Sequence, residues 1–329
     1  MSYPNADISF PGLFGDWRFT LSPKLLDIGN GIYWYGVLIA AGLLIALWFC
    51  MKRAPRYGLT EDDVIDTVLW AIPFAIVGAR VYYVLFYLDQ FRLADGSIDW
   101  AETYRIWDGG LAIYGGILAA FLTAWLVCRK KQLSLWALAD CCVAGFFIGQ
   151  AIGRWGNFFN QEAYGDLITN AAQQFFPMGV YIEALGEWHY ATFFYESMWC
   201  LIVFTVLMLT RRRYTHSGDV LCWYAVLYGA ERAVVEGMRT DSLYFGSVRV
   251  SQLLSMLMIL TVLILFFARR RQRGAGDIAA LIAGCALGAG LIAVTCFMGA
   301  AALIPQIGCV AGMAGLCLYL YRSQDAPAY

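Results

Sequence analysis

Residues 247–273 read SVRVSQLLSMLMILTVLILFFARRRQR, an apolar run that stops at Arg269, Arg270, Arg271 and Arg273. About 20 predominantly apolar residues cross the hydrocarbon core of a bilayer, and Lys/Arg clusters beside a span mark its cytoplasmic end. The run therefore predicts a membrane helix over 247–268 that ends in the cytoplasm. Working outward, similar runs lie at 31–51, 63–88, 109–128, 136–157, 193–210 and 219–238, and two richer in Ala and Gly follow at 277–298 and 299–321. The expected fold is an all-α, polytopic α-helical membrane protein with a seven-span core and a C-terminal two-span hairpin.

Composition supports this. Of 329 residues, 60% are hydrophobic and 14% charged, with a mean hydropathy of +0.60, which excludes an ordinary water-soluble globular domain. A formal net charge of -1 gives no support for a nucleic-acid partner. The ten cysteines fall in apolar stretches without a CxxC pair, so they read as packing residues, and neither metal nor cofactor is expected. A cleavable signal peptide does not fit residues 1–30, where Asp7, Asp16, Arg18, Lys24 and Asp27 interrupt the apolar residues.

Basic residues set the expected sidedness. Lys52, Arg53 and Arg56, then Arg129 to Lys131, then Arg211 to Arg213, then the Arg269 cluster follow spans one, three, five and seven, and together hold more than half of the 23 basic residues. Residues 156–192 contain none. This alternation predicts cytoplasmic loops after the odd spans and an extracytoplasmic N-terminus. Gly274-Ala275-Gly276 reads as a hinge, giving units at 1–273 and 274–329.

Ionisable residues inside a span are costly and point to function or to a specific internal pair. Arg80, Arg154 and Arg232 lie in spans two, four and six, all in the expected outer half of the bilayer. Arg154 opens the segment Arg154-Trp155-Gly156-Asn157-Phe158-Phe159-Asn160-Gln161-Glu162, with Gly165 after it. Its guanidinium supplies forked donors for a phosphate, and Glu162 an acceptor to hold that fork. In span six, Arg232, Glu236 and Arg239 stand at i, i+4 and i+7 and are expected on one helical face. Span three opens Gly109-Gly110-Leu111-Ala112-Ile113-Tyr114-Gly115-Gly116, which would present the Tyr114 phenol beside bare backbone. His189 leads into span five and fits either a structural or a catalytic role; His216 fits a solvated loop.

These residues closely resemble one family, the bacterial prolipoprotein diacylglyceryl transferases, over about residues 30–270. The most specific element is Gly153-Arg154-x-Gly156-Asn157-Phe158-x-Asn160-x-Glu162 with Gly165. Supporting matches are Tyr33-Trp34-Tyr35-Gly36, Gly78-Ala79-Arg80-x-Tyr82-Tyr83, Gly109-Gly110-Leu111, Tyr195-Glu196, Tyr228-Gly229-x-x-Arg232-x-x-x-Glu236-x-x-Arg239-x-Asp241 and Ser251-Gln252-x-Leu254-Ser255. The resemblance implies transfer of the diacylglyceryl group of phosphatidylglycerol to the lipobox cysteine thiol of a prolipoprotein signal peptide, forming a thioether and releasing glycerol phosphate. It also implies an enzyme of the bacterial cell membrane whose active site faces the outer leaflet of the lipid bilayer.

On that reading, Arg154, Arg232, Tyr114 and Glu162 are the expected catalytic residues. Asn157, Asn160, Gly156, Gly165, Arg80, Glu236, Arg239, Tyr35 and Glu196 are expected to bind substrate. Glu162 and Glu236 would orient the two catalytic arginines. Many members carry His where this chain has Tyr114, so Tyr114 either donates a hydrogen bond or acts as a base if guanidinium groups lower a phenol pKa of about 10. The missing Pro in His189-Tyr190-Ala191-Thr192 is a second departure. The competing reading is a transporter for an anionic solute or lipid, which would spread polar residues across the whole membrane depth. The C-terminal pair lies outside the resemblance and reads as a packed hairpin on small residues such as Gly284 and Gly288.

Overall fold

The computed structural model describes residues 6–9, 18–27, 31–93, 95–182, 185–214, 216–240, 242–298 and 302–322; Asp241 falls outside them. Long helices dominate: α1 (Trp34–Arg53), α2 (Glu61–Phe86), α4 (Ile113–Lys131), α5 (Leu135–Asn160), α6 (Thr192–Thr210), α7 (Asp219–Met238), α8 (Val250–Arg269), α9 (Ala275–Met298) and α10 (Leu303–Arg322), with the single turn α3 (Trp100–Thr103) between α2 and α4. Antiparallel two-stranded pairs fill some of the connections: β1 (Ala6–Ser9) with β2 (Arg18–Leu21), β3 (Lys24–Leu26) with β4 (Ile32–Tyr33), β5 (Gly179–Ile182) with β6 (Glu187–Tyr190) and β7 (Tyr244–Phe245) with β8 (Val248–Arg249).

Helix limits follow local chemistry. The Thr60 hydroxyl accepts from the Asp63 amide at 3.1 Å, and the Asp63 carboxylate accepts from the Thr60 amide at 3.0 Å; this capping box starts α2 two residues before the span expected from hydropathy. Span three was expected from residue 109, yet α4 begins only at Ile113, because Gly109 (φ 92°) and Gly110 (φ 75°) take left-handed backbone that a helix cannot use. The helix expected as span seven, α8, starts at Val250 because the residues before it pair as the β7–β8 hairpin. Lys52, Arg53, Arg129 to Lys131 and Arg269 sit in last turns, where a cation also complements the helix dipole.

Among the described residues, eight of the nine long helices are long and apolar enough to cross a membrane. The exception is α7, which carries Asp219, Glu231, Arg232 and Glu236. Leu69, Trp70 and Phe86 on α2 and Leu118 on α4 are each more than half exposed, a cost in water that disappears against lipid tails. The protein is a multi-pass membrane protein.

The chain forms two compact units, Leu47–Cys142 and the remainder, Met1–Ala46 with Val143–Tyr329. In the smaller unit α2 packs on α4 through Gly78 and Gly115, each of whose missing Cβ would collide with the other's backbone. Lys131 pairs there with Asp63 at 2.9 Å and Asp66 at 2.6 Å. In the larger unit α7, α8, α9 and α10 enclose a core containing Val226, Ile259, Phe266, Leu291, Met313 and Leu320. The C-terminal pair thus shares the core of α7 and α8. The expected hinge at Gly274-Ala275-Gly276 is a capped helix start: the Gly274 amide donates to the Asp277 carboxylate at 2.8 Å, and Asp277 pairs with Arg270.

Candidate active site

In the larger unit, one carboxylate gathers three arginines. Glu196 is the one acidic residue of α6 and is 2% exposed. It pairs with Arg154 from α5, with Arg232 from α7 at 3.4 Å and with Arg239 at 3.7 Å. Arg232 also meets Glu236 at 2.6 Å, one helical turn along α7. An unpaired charge in such an interior would be expensive, so each guanidinium is held by acids that keep its remaining N–H groups aimed. Arg239 reaches the cluster differently from expectation: α7 ends at Met238, and Arg239 takes extended backbone (φ −81°, ψ 144°) instead of continuing the helical face.

A second group closes α5. Gln161 and Ala163 take left-handed backbone (φ 50° and 56°), ending the helix and turning the chain back. Glu162 then accepts from Asn157 Nδ2 at 3.0 Å and Asn160 Nδ2 at 3.3 Å. The carboxylate expected to orient Arg154 thus holds these two carboxamides, and Arg154 is paired with Glu196. The carboxylate orients the two carboxamides, and Glu196 orients the arginine. Only the tertiary fold could assign these partners, since Glu196 lies 42 positions from Arg154 in the chain.

The glycines of this segment are contact positions. A Cβ at Gly156 would lie 2.6 Å from the Tyr35 ring, so Tyr35 packs directly against the α5 backbone. A Cβ at Gly165 would lie 2.8 Å from Tyr190 Cβ and 3.2 Å from the Met238 carbonyl oxygen. The Gly165 amide donates to the Tyr190 carbonyl at 2.9 Å, and the next amide, Asp166, donates to Met238 at 2.8 Å. Gly165 therefore clamps the loop after α5 between β6 and the end of α7. His189 belongs to this clamp. Its buried ring stands 2.8 Å from the Gly165 carbonyl through Nδ1 and lies against Tyr164, a structural placement. Burial also pushes the carboxyl of Asp166 above the usual carboxylate range.

Supporting contacts hold the cluster's helices in place. Trp155 Nε1 donates to Ser197 Oγ at 3.2 Å, and that hydroxyl donates to the Ala151 carbonyl at 2.9 Å, joining α5 to α6. Gln252, fully buried on α8, donates to the Ala233 carbonyl at 2.8 Å, and a Cβ at Gly229 would lie 3.1 Å from the Ser255 carbonyl oxygen. The motif residues Gly229, Gln252 and Ser255 thus seat α7 against α8.

Arg80 and Tyr114 lie in the smaller unit. Arg80 is buried, and its guanidinium donates to four backbone carbonyls, those of Glu102 (2.7 Å), Thr103 (2.7 Å), Gly109 (2.6 Å) and Gly110 (2.9 Å). Gly109 and Gly110 serve those bonds, since their left-handed backbone turns the carbonyls inward, and a Cβ at Gly110 would come within 2.5 Å of Arg80 Nη1. Tyr114 sits half-buried in the first turn of α4.

Glu231 is the residue that the sequence reading passed over. It is 7% exposed on α7, neither carboxylate oxygen has a hydrogen-bond partner among the described residues, and its charge interacts with Glu196, Arg154, Arg232 and Arg239. The available signal was an acid directly beside Arg232 inside a largely apolar helix.

Comparison with known proteins places this architecture. A model of the prolipoprotein diacylglyceryl transferase family matches residues 23–268. Similar curated proteins include the phosphatidylglycerol–prolipoprotein diacylglyceryl transferases of Streptococcus equi subsp. zooepidemicus (42% identical over 259 residues, 77% of this chain and 97% of that protein), Listeria innocua (41% over 257 residues, 76% and 90%) and Oceanobacillus iheyensis (40% over 254 residues, 75% and 87%). With most of its length matched both by the family and by relatives of that identity, the chain belongs to the prolipoprotein diacylglyceryl transferase family.

Proposed function

We propose that the protein transfers the diacylglyceryl group of phosphatidylglycerol to the thiol of a prolipoprotein lipobox cysteine, working in the bacterial cell membrane with its site towards the outer leaflet. The observation that carries this reading is the convergence of Arg154, Arg232 and Arg239 on the buried Glu196. In the reaction a phosphodiester becomes a phosphate monoester leaving group, so negative charge grows on phosphate oxygens. Guanidinium groups already oriented in a dry site stabilise that charge without reorganising. Arg154 and Arg232 are the proposed clamp, Glu196 and Glu236 its supports, and Arg239 the third cation.

Asn157 and Asn160, steadied by Glu162, present carboxamides to the phosphate or to glycerol hydroxyls. Gly156, Tyr35 and Gly165 shape the approach to the backbone. Tyr114 is proposed as a hydrogen-bond donor to the reacting lipid. Arg80 is proposed to act on the loop that precedes Tyr114 and not on substrate, its donors being taken by carbonyls.

The test is whether membranes containing the protein convert a fluorescent lipobox peptide to a more apolar product only when phosphatidylglycerol is present. Conversion without that lipid, or none with it, would overturn the proposal. Sidedness has its own test. In a background without native cysteines, a cysteine introduced at Thr169 is expected to react with an impermeant maleimide outside intact spheroplasts, and one at Lys131 is not. Reversed labelling would invert the orientation.

A further inference from the structure

Helix α7 ends beside the arginine cluster, and its last turn holds the acid Glu236 but no basic residue. The negative end of the helix dipole and the last carbonyls therefore receive no cation from the helix itself. One arrives from another element. Arg249, the last residue of β8, aims a single nitrogen, Nη1, at three oxygens: the Glu236 carbonyl, the Arg239 carbonyl at 2.9 Å and Ser242 Oγ at 2.8 Å. Ser242 tightens the same knot, its hydroxyl standing 3.3 Å from the Glu236 carbonyl and 3.4 Å from the Arg239 carbonyl.

The hairpin that carries Arg249 is itself fixed. Tyr244 pairs with Arg249 and Phe245 with Val248, and the Val250 amide donates to the Leu243 carbonyl at 2.9 Å. The Arg249 guanidinium also lies over the Tyr244 ring at 5.5 Å. On the other side of the helix end, the Asp166 amide holds the Met238 carbonyl at 2.8 Å. Arg239 is the first residue beyond α7, and its guanidinium reaches Glu196 from a backbone that has left the helix.

We propose that Arg249 is a positioning residue of the transfer site: by drawing the Glu236 and Arg239 carbonyls onto one nitrogen, it fixes the turn from which Arg239 reaches Glu196, and so keeps the third cation beside Arg154 and Arg232. This rests on the transferase reading above. Arg249 acts through the Arg239 backbone and not on the lipid. Because one nitrogen makes all three contacts, an ammonium with its three donors on one atom can take its place, whereas the arginines of the cluster need their fork.

The experiment uses the full-length protein in vesicles where phosphatidylglycerol is diluted with a zwitterionic lipid, and reads kcat/KM for phosphatidylglycerol with a fluorescent lipobox peptide. Arg249→Gln is expected to lower that ratio by about 10- to 100-fold, and Arg249→Lys to recover most of it. Arg239→Ala alone is expected to lose at least as much. In the Arg239→Ala background, Arg249→Gln is expected to add almost nothing, because both substitutions remove the same cation from the site. Should Arg249→Gln fail to accumulate in membranes, Ser242→Ala runs the same cycle, with a loss of about fivefold alone and none beside Arg239→Ala. Losses that multiply in the cycle, as a purely structural role would give, an unchanged ratio in Arg249→Gln, or Arg249→Lys no better than Arg249→Gln would each overturn the assignment. A wild-type protein that forms no lipidated peptide would instead overturn the transferase reading, and this proposal with it.

Discussion

Arg80 and Arg154 both lie in apolar helices beside glycines, but their surroundings differ in kind. In the smaller unit, Arg80 donates to four neutral carbonyls in bonds of 2.6 to 2.9 Å, with Phe91 and Tyr83 rings alongside. In the larger unit, Arg154, Arg232 and Arg239 share one carboxylate at looser and uneven distances. The first arrangement spends the guanidinium on local architecture. The second holds several cations close together around one carboxylate, an arrangement that suits a phosphate. An arginine within a membrane helix is thus explained by what satisfies it, and burial alone does not separate the two roles.

The largest effect expected from this contrast is in the cluster. Arg154→Ala and Arg232→Ala are each expected to lower transfer by about a thousandfold or more in a correctly inserted protein, measured as lipidated peptide formed per unit time, and Arg154→Lys is expected not to restore it, because an ammonium lacks the fork. Near-normal turnover in Arg154→Lys would break the contrast.

Glu196→Ala comes next. It leaves three guanidinium groups around a buried gap, with an expected loss of about 3–5 kcal/mol of stability together with most activity, read by thermal unfolding in detergent and by turnover. Stability unchanged in that variant would mean that the arginines find other partners.

Tyr114→Phe asks whether the smaller unit contributes to the chemistry. Loss of a donor that serves the transition state lowers the rate by about 100-fold, with little change in the pH profile. A wild-type rate at every pH would remove Tyr114 from the site.

Arg80→Lys is expected to act mainly on structure. The residues between Glu102 and Gly110 should become more susceptible to proteolysis, while the KM for phosphatidylglycerol stays near its wild-type value. A large KM increase with intact proteolytic protection would return Arg80 to substrate binding.

The smallest effect is expected from ending the chain after Gly274. Lipid can replace α9 and α10 against the apolar faces of α7 and α8, so turnover should persist. Complete loss of turnover in an inserted truncation would show that the C-terminal pair is needed to hold the cluster.

The helices were legible because bilayer thickness imposes a length that hydropathy reports directly, and because basic residues gather at span ends. The Arg232–Glu236 pair was legible too, since helical spacing of four brings two side chains together regardless of the rest of the fold. The start of α4 was not, because hydropathy is blind to the left-handed backbone of Gly109 and Gly110. Nor were the partners of Arg154 and Glu162. Within one chain segment every carboxylate looks available to every nearby arginine, and the turn at Gln161 and Ala163 directs Glu162 to the carboxamides instead.

The sequence by itself determined the class of protein, the limits of most helices to within a few residues, the family, and the set of polar residues from which a site could be built, because all of these follow from composition, local spacing and short motifs. The tertiary structure decided which of those residues meet. Glu196 became the hub, Arg80 a tie for its own loop, and Glu231 a buried acid with no hydrogen-bond partner among the described residues, since pairing of buried charges depends on helix packing between positions far apart in the chain.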